Sequence, residues 1–393
     1  MTVIYLDSHA TTRPSRRVIA AVNRAMRCCG NAASSHLPGQ EVAGMVERAR
    51  DQVAAAAGGI APGRVVFTSG ATEANNLALR GTLAAARRDG LPGRRIIISA
   101  VEHSSVIATA RALAAQGEAV LTVLPVDAEG AVDPAVLARA LGPDVVLVSI
   151  MHANNEVGTI NDIEALSAAC RAARALFHVD ACQSFAKVPL RPGVADFISA
   201  SGHKLHGPTG VGALLVGSLR LRDWLVPQQT GGTHESGVRA GTTNAHAIVG
   251  FGEAAEATRA EWAAGEGARL RRMRDALWAS LLRGIGPAWL RLNGPADFDR
   301  RLPQNLNVNF VGVCPFNLDA ATRARVAVSS AAACRSLGGE RSHVLEAIGS
   351  PDDGATIRFG LGEATEAEVR AAARLFIDAA NALRGHGCVI PQR

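Results

Sequence analysis

From Arg64 onward the chain alternates short, unbroken apolar runs with longer helical stretches, and few architectures accommodate that pattern. A first short run opens the stretch Arg64–Asn76, ahead of a small-residue turn and a helix start, and others fall at Arg95–Ser99, Val120–Leu124, Val145–Ile150 and Phe177–Asp180. Helical stretches separate them at Ser105–Gln116, Asp133–Leu141 and Ile163–Leu176. A strand that is apolar on both sides needs cover on both faces, which helices supply. The pattern therefore predicts an α/β fold with a mainly parallel sheet. In such folds ligands sit at the carboxyl ends of the strands, where the loops carry the polar residues.

The flanks read differently. Residues 1–14 predict a short strand and a turn, followed by helices over Arg16–Arg27 and Gln40–Ala57 that end at glycines. Beyond about residue 255 the spacing predicts one long helix over Glu253–Leu282. Short strands follow near Leu306–Asn309, Val326–Ser329 and Thr356–Phe359, then a closing helix over Thr365–Arg384. The expected division is a large α/β domain over 15–255 and a small C-terminal α+β domain over 256–393, joined by residues 1–14.

At 393 residues, 48% hydrophobic and 19% charged, the chain can bury a large core. No apolar run reaches membrane-span length, and the start lacks the features of a signal peptide, so no membrane and a cytoplasmic setting are expected. The net charge of +6 is spread over scattered arginines, which argues against direct nucleic-acid binding. Seven cysteines contain no Cys-x-x-Cys pair, so no metal site is expected and the thiols are read as reduced.

Two lysines, Lys187 and Lys204, stand among 41 basic residues, the rest being arginine. Arginine stays protonated, whereas lysine can lose its proton and act as an amine nucleophile. Lys204 lies in Ser201-Gly-His-Lys-Leu-His-Gly-Pro208, a setting suited to a Schiff base, although a biased base composition would leave the same count. Other strand-end loops carry further candidates. Ser69-Gly-Ala-Thr72 precedes a helix and suits a phosphate, or a tight packing turn. Asp180 suits a pyridine nitrogen, or a helix cap. His103 suits ring stacking and proton transfer, or a structural role. Asn155 suits a ring oxygen, or a turn. Their convergence on successive strand ends favours the chemical readings.

The ordered set of these stretches resembles the pyridoxal-phosphate cysteine desulfurases, specifically their first group, over nearly the whole chain. It comprises Tyr5-Leu-Asp-x-x-Ala-Thr-Thr12, Phe67-Thr-Ser-Gly-Ala-Thr-Glu73, Glu102-His103, Ser149-Ile-Met-His-x-Asn-Asn-Glu156 and His178-Val-Asp-Ala-x-Gln-Ser184. Ser201-Gly-His-Lys204, Gly231-Gly-x-His-Glu235, Arg239-x-Gly-Thr242, Ala327-Val-Ser-Ser330 with Ala333-Cys334, and Ile357-Arg358-Phe359 complete it.

The resemblance implies an aminotransferase-like fold of the first pyridoxal-phosphate type and a homodimer. It implies that Lys204 binds the cofactor covalently and then moves protons, Asp180 pairs with the pyridine nitrogen, Gln183 with the ring hydroxyl, and His103 stacks on the ring. Gly70, Ala71, Thr72, Ser201 and His203 would hold the phosphate, with Thr242 arriving from a second subunit. Asn155 and Arg358, helped by Asn31, would orient L-cysteine. Cys334 would take its sulfur as a persulfide for an acceptor protein, leaving L-alanine. A cysteine flanked by Ser, Ala, Arg and Gly suits a nucleophile better than a packed core thiol.

The chain departs from the family pattern at Ala331-Ala332, Ser236, Glu363 and Val313-Cys314-Pro315-Phe316. Lys187 matches as a non-catalytic lysine, and Cys182 reads as packing. Rival readings are a selenocysteine lyase or aminotransferase on the same fold, and a degenerate sulfur-delivery scaffold. An aminotransferase makes no evident use of Cys334, and the scaffold reading leaves the set of Lys204, Asp180, Gln183 and His103 without purpose.

Overall fold

The computed structural model describes residues 3–330, 341–385 and 387–388. The strands are β1 (Ile4–Tyr5), β2 (Val65–Thr68), β3 (Arg95–Ser99), β4 (Val120–Leu124), β5 (Val145–Ser149), β6 (Leu176–Asp180), β7 (Phe197–Ser201), β8 (Gly212–Val216), β9 (Leu290–Leu292), β10 (Asn305–Val311), β11 (Val326–Ala327), β12 (Ser329–Ser330) and β13 (Gly354–Gly360). The helices are α1 (Arg16–Met26), α2 (Leu37–Ala56), α3 (Ala71–Arg88), α4 (Ser104–Ala115), α5 (Pro134–Ala140), α6 (Ile163–Ala173), α7 (Leu219–Trp224), α8 (Ala245–Ala263), α9 (Glu266–Ile285), α10 (Pro315–Thr322), α11 (His343–Ala347) and α12 (Glu366–Leu383).

Seven strands form one sheet in the order β2-β8-β7-β6-β5-β3-β4. All its pairings are parallel except those of β8, which runs antiparallel to both neighbours. Side chains alternate across it as strand geometry demands. Ile97, Val148, Phe177 and Val179 join one core with α6 and α8, while Ile96, Ile98 and Leu147 join another with α3 and α4. The chain runs from β3 outward to β4, then returns to β5 on the other side of β3. The carboxyl ends of β3 and β5 thus flank a topological switch point, where a crevice opens.

A second sheet, β12-β13-β10-β9, is antiparallel and packs on α9, α10 and α12 around Phe310, Phe359 and Phe376. The edge of the Phe359 ring meets Phe376 with centroids 4.9 Å apart. The N-terminal segment bridges the two sheets. β1 pairs with β11, Leu6 is buried in the second core, and the Thr12 amide reaches the His203 carbonyl at 2.9 Å. Among the described residues no helix is long and apolar enough to cross a membrane.

Two expectations are corrected. The long helix over Glu253–Leu282 is two, because Gly265 adopts φ +104° between α8 and α9. A glycine there lets the axis turn, so that α8 packs on α1 and α2 in the first core and α9 enters the second. The thiols are also not all free, since Cys314 and Cys388 are joined in a disulfide that ties residue 388 back to the start of α10.

Candidate active site

A cavity of about 490 Å³ opens at the carboxyl ends of β2, β3, β5, β6 and β7. It gathers Gly70, Ala71, Thr72, His103, Asn155, Asp180, Gln183, Ser201, His203, Lys204 and Arg358 from positions far apart in the chain. Two expected residues lie elsewhere. Asn31 is exposed between α1 and α2, its side chain accepting from the Ala33 amide at 2.9 Å. Thr242 is exposed on a smaller neighbouring cavity that shares Ser69 and Gly210 with the first. Cys334, with Ala331 and Ala332, lies outside the described residues.

Lys204 sits in a short 3-10 turn directly after β7. Its Nζ donates to the carbonyls of His9 and, at 2.8 Å, Ala10. Burial pushes the amine down to about 8, so part of the population is neutral and nucleophilic near physiological pH. Lys187 donates from Nζ to the Lys204 carbonyl at 2.7 Å, and desolvation with the Lys204 charge takes it down to about 7. The second lysine therefore braces the backbone of the first.

Asp180 ends β6 and is buried. Its Oδ2 accepts from Asn75 Nδ2 at 2.9 Å and its Oδ1 from the Cys182 amide at 3.0 Å. Asn75 also donates to Ser105 Oγ at 2.8 Å, and Ser105 holds His103. The Ser105 amide donates to His103 Nδ1 at 3.1 Å, so Nδ1 is an acceptor and the neutral ring carries its proton on Nε2. Burial lowers the His103 pKa, which favours that neutral ring. Cys182, expected as packing, instead lines the cavity, with burial and Asp180 raising its thiol pKa well above the ordinary value.

Ser69–Thr72 lead into α3, whose N-cap is Gly70, a residue with no side chain to bond the free amides. First-turn amides have no acceptor within a helix and favour an anion. Gly212 makes the close approach of this loop feasible, because a Cβ there would meet Gly70 Cα at 2.8 Å. A clamp supports the loop from behind. The Arg239 guanidinium pairs with Glu73 at 2.9 Å and holds that carboxyl low against the opposing effect of burial. Glu235 is gripped by both Arg50 terminal nitrogens at 2.8 Å and accepts from the Phe67 amide.

Arg358 reaches the cavity from β13. Its Nη2 meets Asp7 Oδ1 at 3.0 Å and Ser329 Oγ at 2.6 Å, and its Nη1 meets the Asn155 carbonyl at 3.2 Å. Its Nε is buried without a partner among the described residues. That orphan donor suits an incoming carboxylate.

Four contributors escaped the sequence reading. His9 and Asn75 sit one or two positions from recognised motif residues and could have been found there. Glu102 stands in the motif, but its role was not legible. It is buried, burial pushes it up to about 8, and it accepts from Ser99 and from the Met151 amide at 2.9 Å. A largely neutral carboxyl thus joins the ends of β3 and β5. His343 of α11 donates to the Glu102 carbonyl at 2.9 Å, and no local signal marks it.

The donor set fits a phosphorylated pyridine aldehyde: a helix N-terminus for the anion, a buried carboxylate for the ring nitrogen and an amine for the aldehyde. Comparisons with known proteins point to one family. The class-V aminotransferase profile matches residues 4–371. A cysteine desulfurase from Frankia sp. (strain EuIK1) is 43% identical over 388 residues, covering 95% of this chain and 90% of the relative. A solved NifS-like protein superposes with a TM-score of 0.85 at 32% identity, covering 97% of this chain and all of the other. A structure of SspA in complex with cysteine gives 0.77 at 30% identity, covering 91% and 98%. The chain belongs to the class-V aminotransferase family and, within it, to the cysteine desulfurases.

Proposed function

We propose that the protein uses pyridoxal phosphate to convert L-cysteine to L-alanine, with Cys334 taking the sulfur as a persulfide for an acceptor protein. The observation that carries this reading is the enclosure of Lys204, Asp180, Gln183 and His103 around one cavity beside the α3 N-terminus. When bound, the cofactor supplies an electron sink that makes the bonds around the substrate's α-carbon labile.

The chain's own residues do the rest. Amides at Gly70, Ala71 and Thr72, with Ser201 and His203, hold the phosphate. Asp180, fixed by Asn75 and Cys182, faces the ring nitrogen, and Gln183 faces the ring hydroxyl. Lys204 would hold the cofactor at its aldehyde carbon and, once released, would carry the α-proton, a task its lowered basicity suits. His103, with its proton on Nε2, stacks on the ring and offers a second proton route. Arg358 and Asn155 orient the substrate, with Asn31 assisting from the loop before α2. The Cys334 thiolate would bond to the substrate sulfur as the bond from that sulfur to the β-carbon breaks; the bonding pair stays with the β-carbon, which takes a proton, and the α-carbon takes back the proton it gave up, leaving alanine.

The reading includes a homodimer in which Thr242 completes the partner's phosphate site, supported by its exposure beside its own cavity rather than in it. It takes 15–255 as the large domain and 256–393 with 1–14 as the small one, supported by the separate apolar cores. It places the enzyme in the cytoplasm. The test is Cys334→Ala given L-cysteine. Loss of sulfide release and of persulfide is expected, with cofactor binding intact. Full alanine production without a persulfide would contradict the mechanism, and a keto-acid product would point to transamination.

A further inference from the structure

His9 enters the cavity wall from the N-terminal segment and is only 1% exposed. Both ring nitrogens are engaged: Nδ1 lies 3.0 Å from Gln183 Oε1 and Nε2 lies 3.2 Å from Asn305 Nδ2. The direction of each bond follows from neighbours that can play one part only. The Arg301 guanidinium only donates, so Asn305 turns Oδ1 to it, at 3.0 Å from Nη1. The Asn305 amide nitrogen then gives its hydrogens to the Glu156 carbonyl, at 3.0 Å, and to His9 Nε2.

Working from the other end gives the same answer. The His9 backbone carbonyl only accepts, so Gln183 turns Nε2 to it at 3.1 Å, which leaves Oε1 facing the His9 ring. Nδ1 must therefore carry the proton and Nε2 must accept. Burial, with the Arg358 charge, pushes the imidazole down to about 3, so the ring is neutral. Packing holds the chain of bonds in place. A Cβ at Gly158, where φ is +78°, would meet Asn305 Oδ1 at 2.5 Å.

We propose that His9 is a positioning residue that, with Asn305 and Arg301, locks the Gln183 amide so that its remaining N–H is offered to the ring hydroxyl oxygen of the cofactor. The proposal rests on the pyridoxal-phosphate reading above. An N–H donated to that oxygen stabilises its anionic form and lowers the pH at which the lysine-linked cofactor loses its proton. An amide turned the other way would set a lone pair against the same anion.

The experiment has two readouts. Cofactor-free protein labelled with nitrogen-15 histidine should show, by NMR at neutral pH, one neutral ring protonated on Nδ1 that disappears in His9→Leu. The holoenzyme's visible band, titrated with pH, should shift its midpoint upward by roughly one pH unit in His9→Leu. Asn305→Leu, which leaves His9 in place, should shift it less in the same direction, and it decides the matter if His9→Leu does not fold. A His9 ring protonated on Nε2, or variants that lose thermal stability with the band midpoint unmoved, would overturn the proposal. A wild-type protein with no cofactor band would sink the proposed function and the role of the Gln183 N–H, while the NMR signal judges the lock separately.

Discussion

The strand ends of the seven-stranded sheet and the wall supplied by the four-stranded sheet build one cavity by opposite means. On the first side each functional group lies on its own strand or in the loop after it: Ser69 after β2, His103 after β3, Asn155 after β5, Asp180 on β6 and Lys204 after β7. Local backbone geometry aims them, and short side-chain bridges such as Asn75 between Asp180 and Ser105 fix their angles. On the second side Arg358 and Asn305 come from antiparallel strands and are tied to the N-terminal segment by way of Asp7 and His9. On the proposed reading the first side chiefly holds the cofactor, and the second offers the substrate the Nε of Arg358, which has no partner among the described residues.

If that contrast holds, the largest losses belong to the strand-end side. Lys204→Arg keeps a cation but removes the amine, because guanidinium does not deprotonate. Turnover should fall at least ~10³-fold and the covalent cofactor band should vanish. Asp180→Asn should lower kcat by roughly 10²–10⁴-fold, whereas Asn75→Ala, which only frees the carboxylate to turn, should cost about tenfold. Equal effects from Asp180→Asn and Asn75→Ala would mean that orientation, not charge, dominates there.

Arg358→Lys probes the second side. Loss of the forked geometry should raise KM for cysteine roughly 10- to 100-fold, the worth of one charged hydrogen bond, with a smaller change in kcat. A kcat loss as large as that of Asp180→Asn would erase the distinction between the two sides.

The smallest expected effect concerns stability. Lys187 falls from 10.5 to about 7 on folding, so between those pH values the unfolded chain binds more protons than the folded one. Its contribution to folding stability therefore rises with pH across that window. In cofactor-free protein the melting temperature of wild type minus that of Lys187→Met should climb from pH 7 to pH 10. A flat difference would mean that the Lys187 amine is not desolvated.

The sequence made the strand-end side legible because apolar runs mark the strands and the residue just past each run is local to it. Gly70, Asp180, Gln183 and Lys204 could be placed by counting. The Gly265 break between α8 and α9 was missed because the flanking helical pattern continues through it. The wall side depended on register: Arg358 opposite Asn307, Ser329 opposite Arg358, and Asp7 bridged to Gly360. Such pairings join residues far apart in the chain, and no local pattern specifies them. Asn305 became visible only through that register, and His343 only through its contact with the Glu102 carbonyl.

The central claim is that these two sides hold one cofactor and one substrate in a single cavity. Its most direct test is an absorbance scan of the purified protein before and after L-cysteine, with sulfide and alanine assayed in the same sample. The account predicts a visible cofactor band that shifts on adding cysteine, with both products appearing together. No band after incubation with pyridoxal phosphate, or a band that cysteine leaves unchanged, would contradict it.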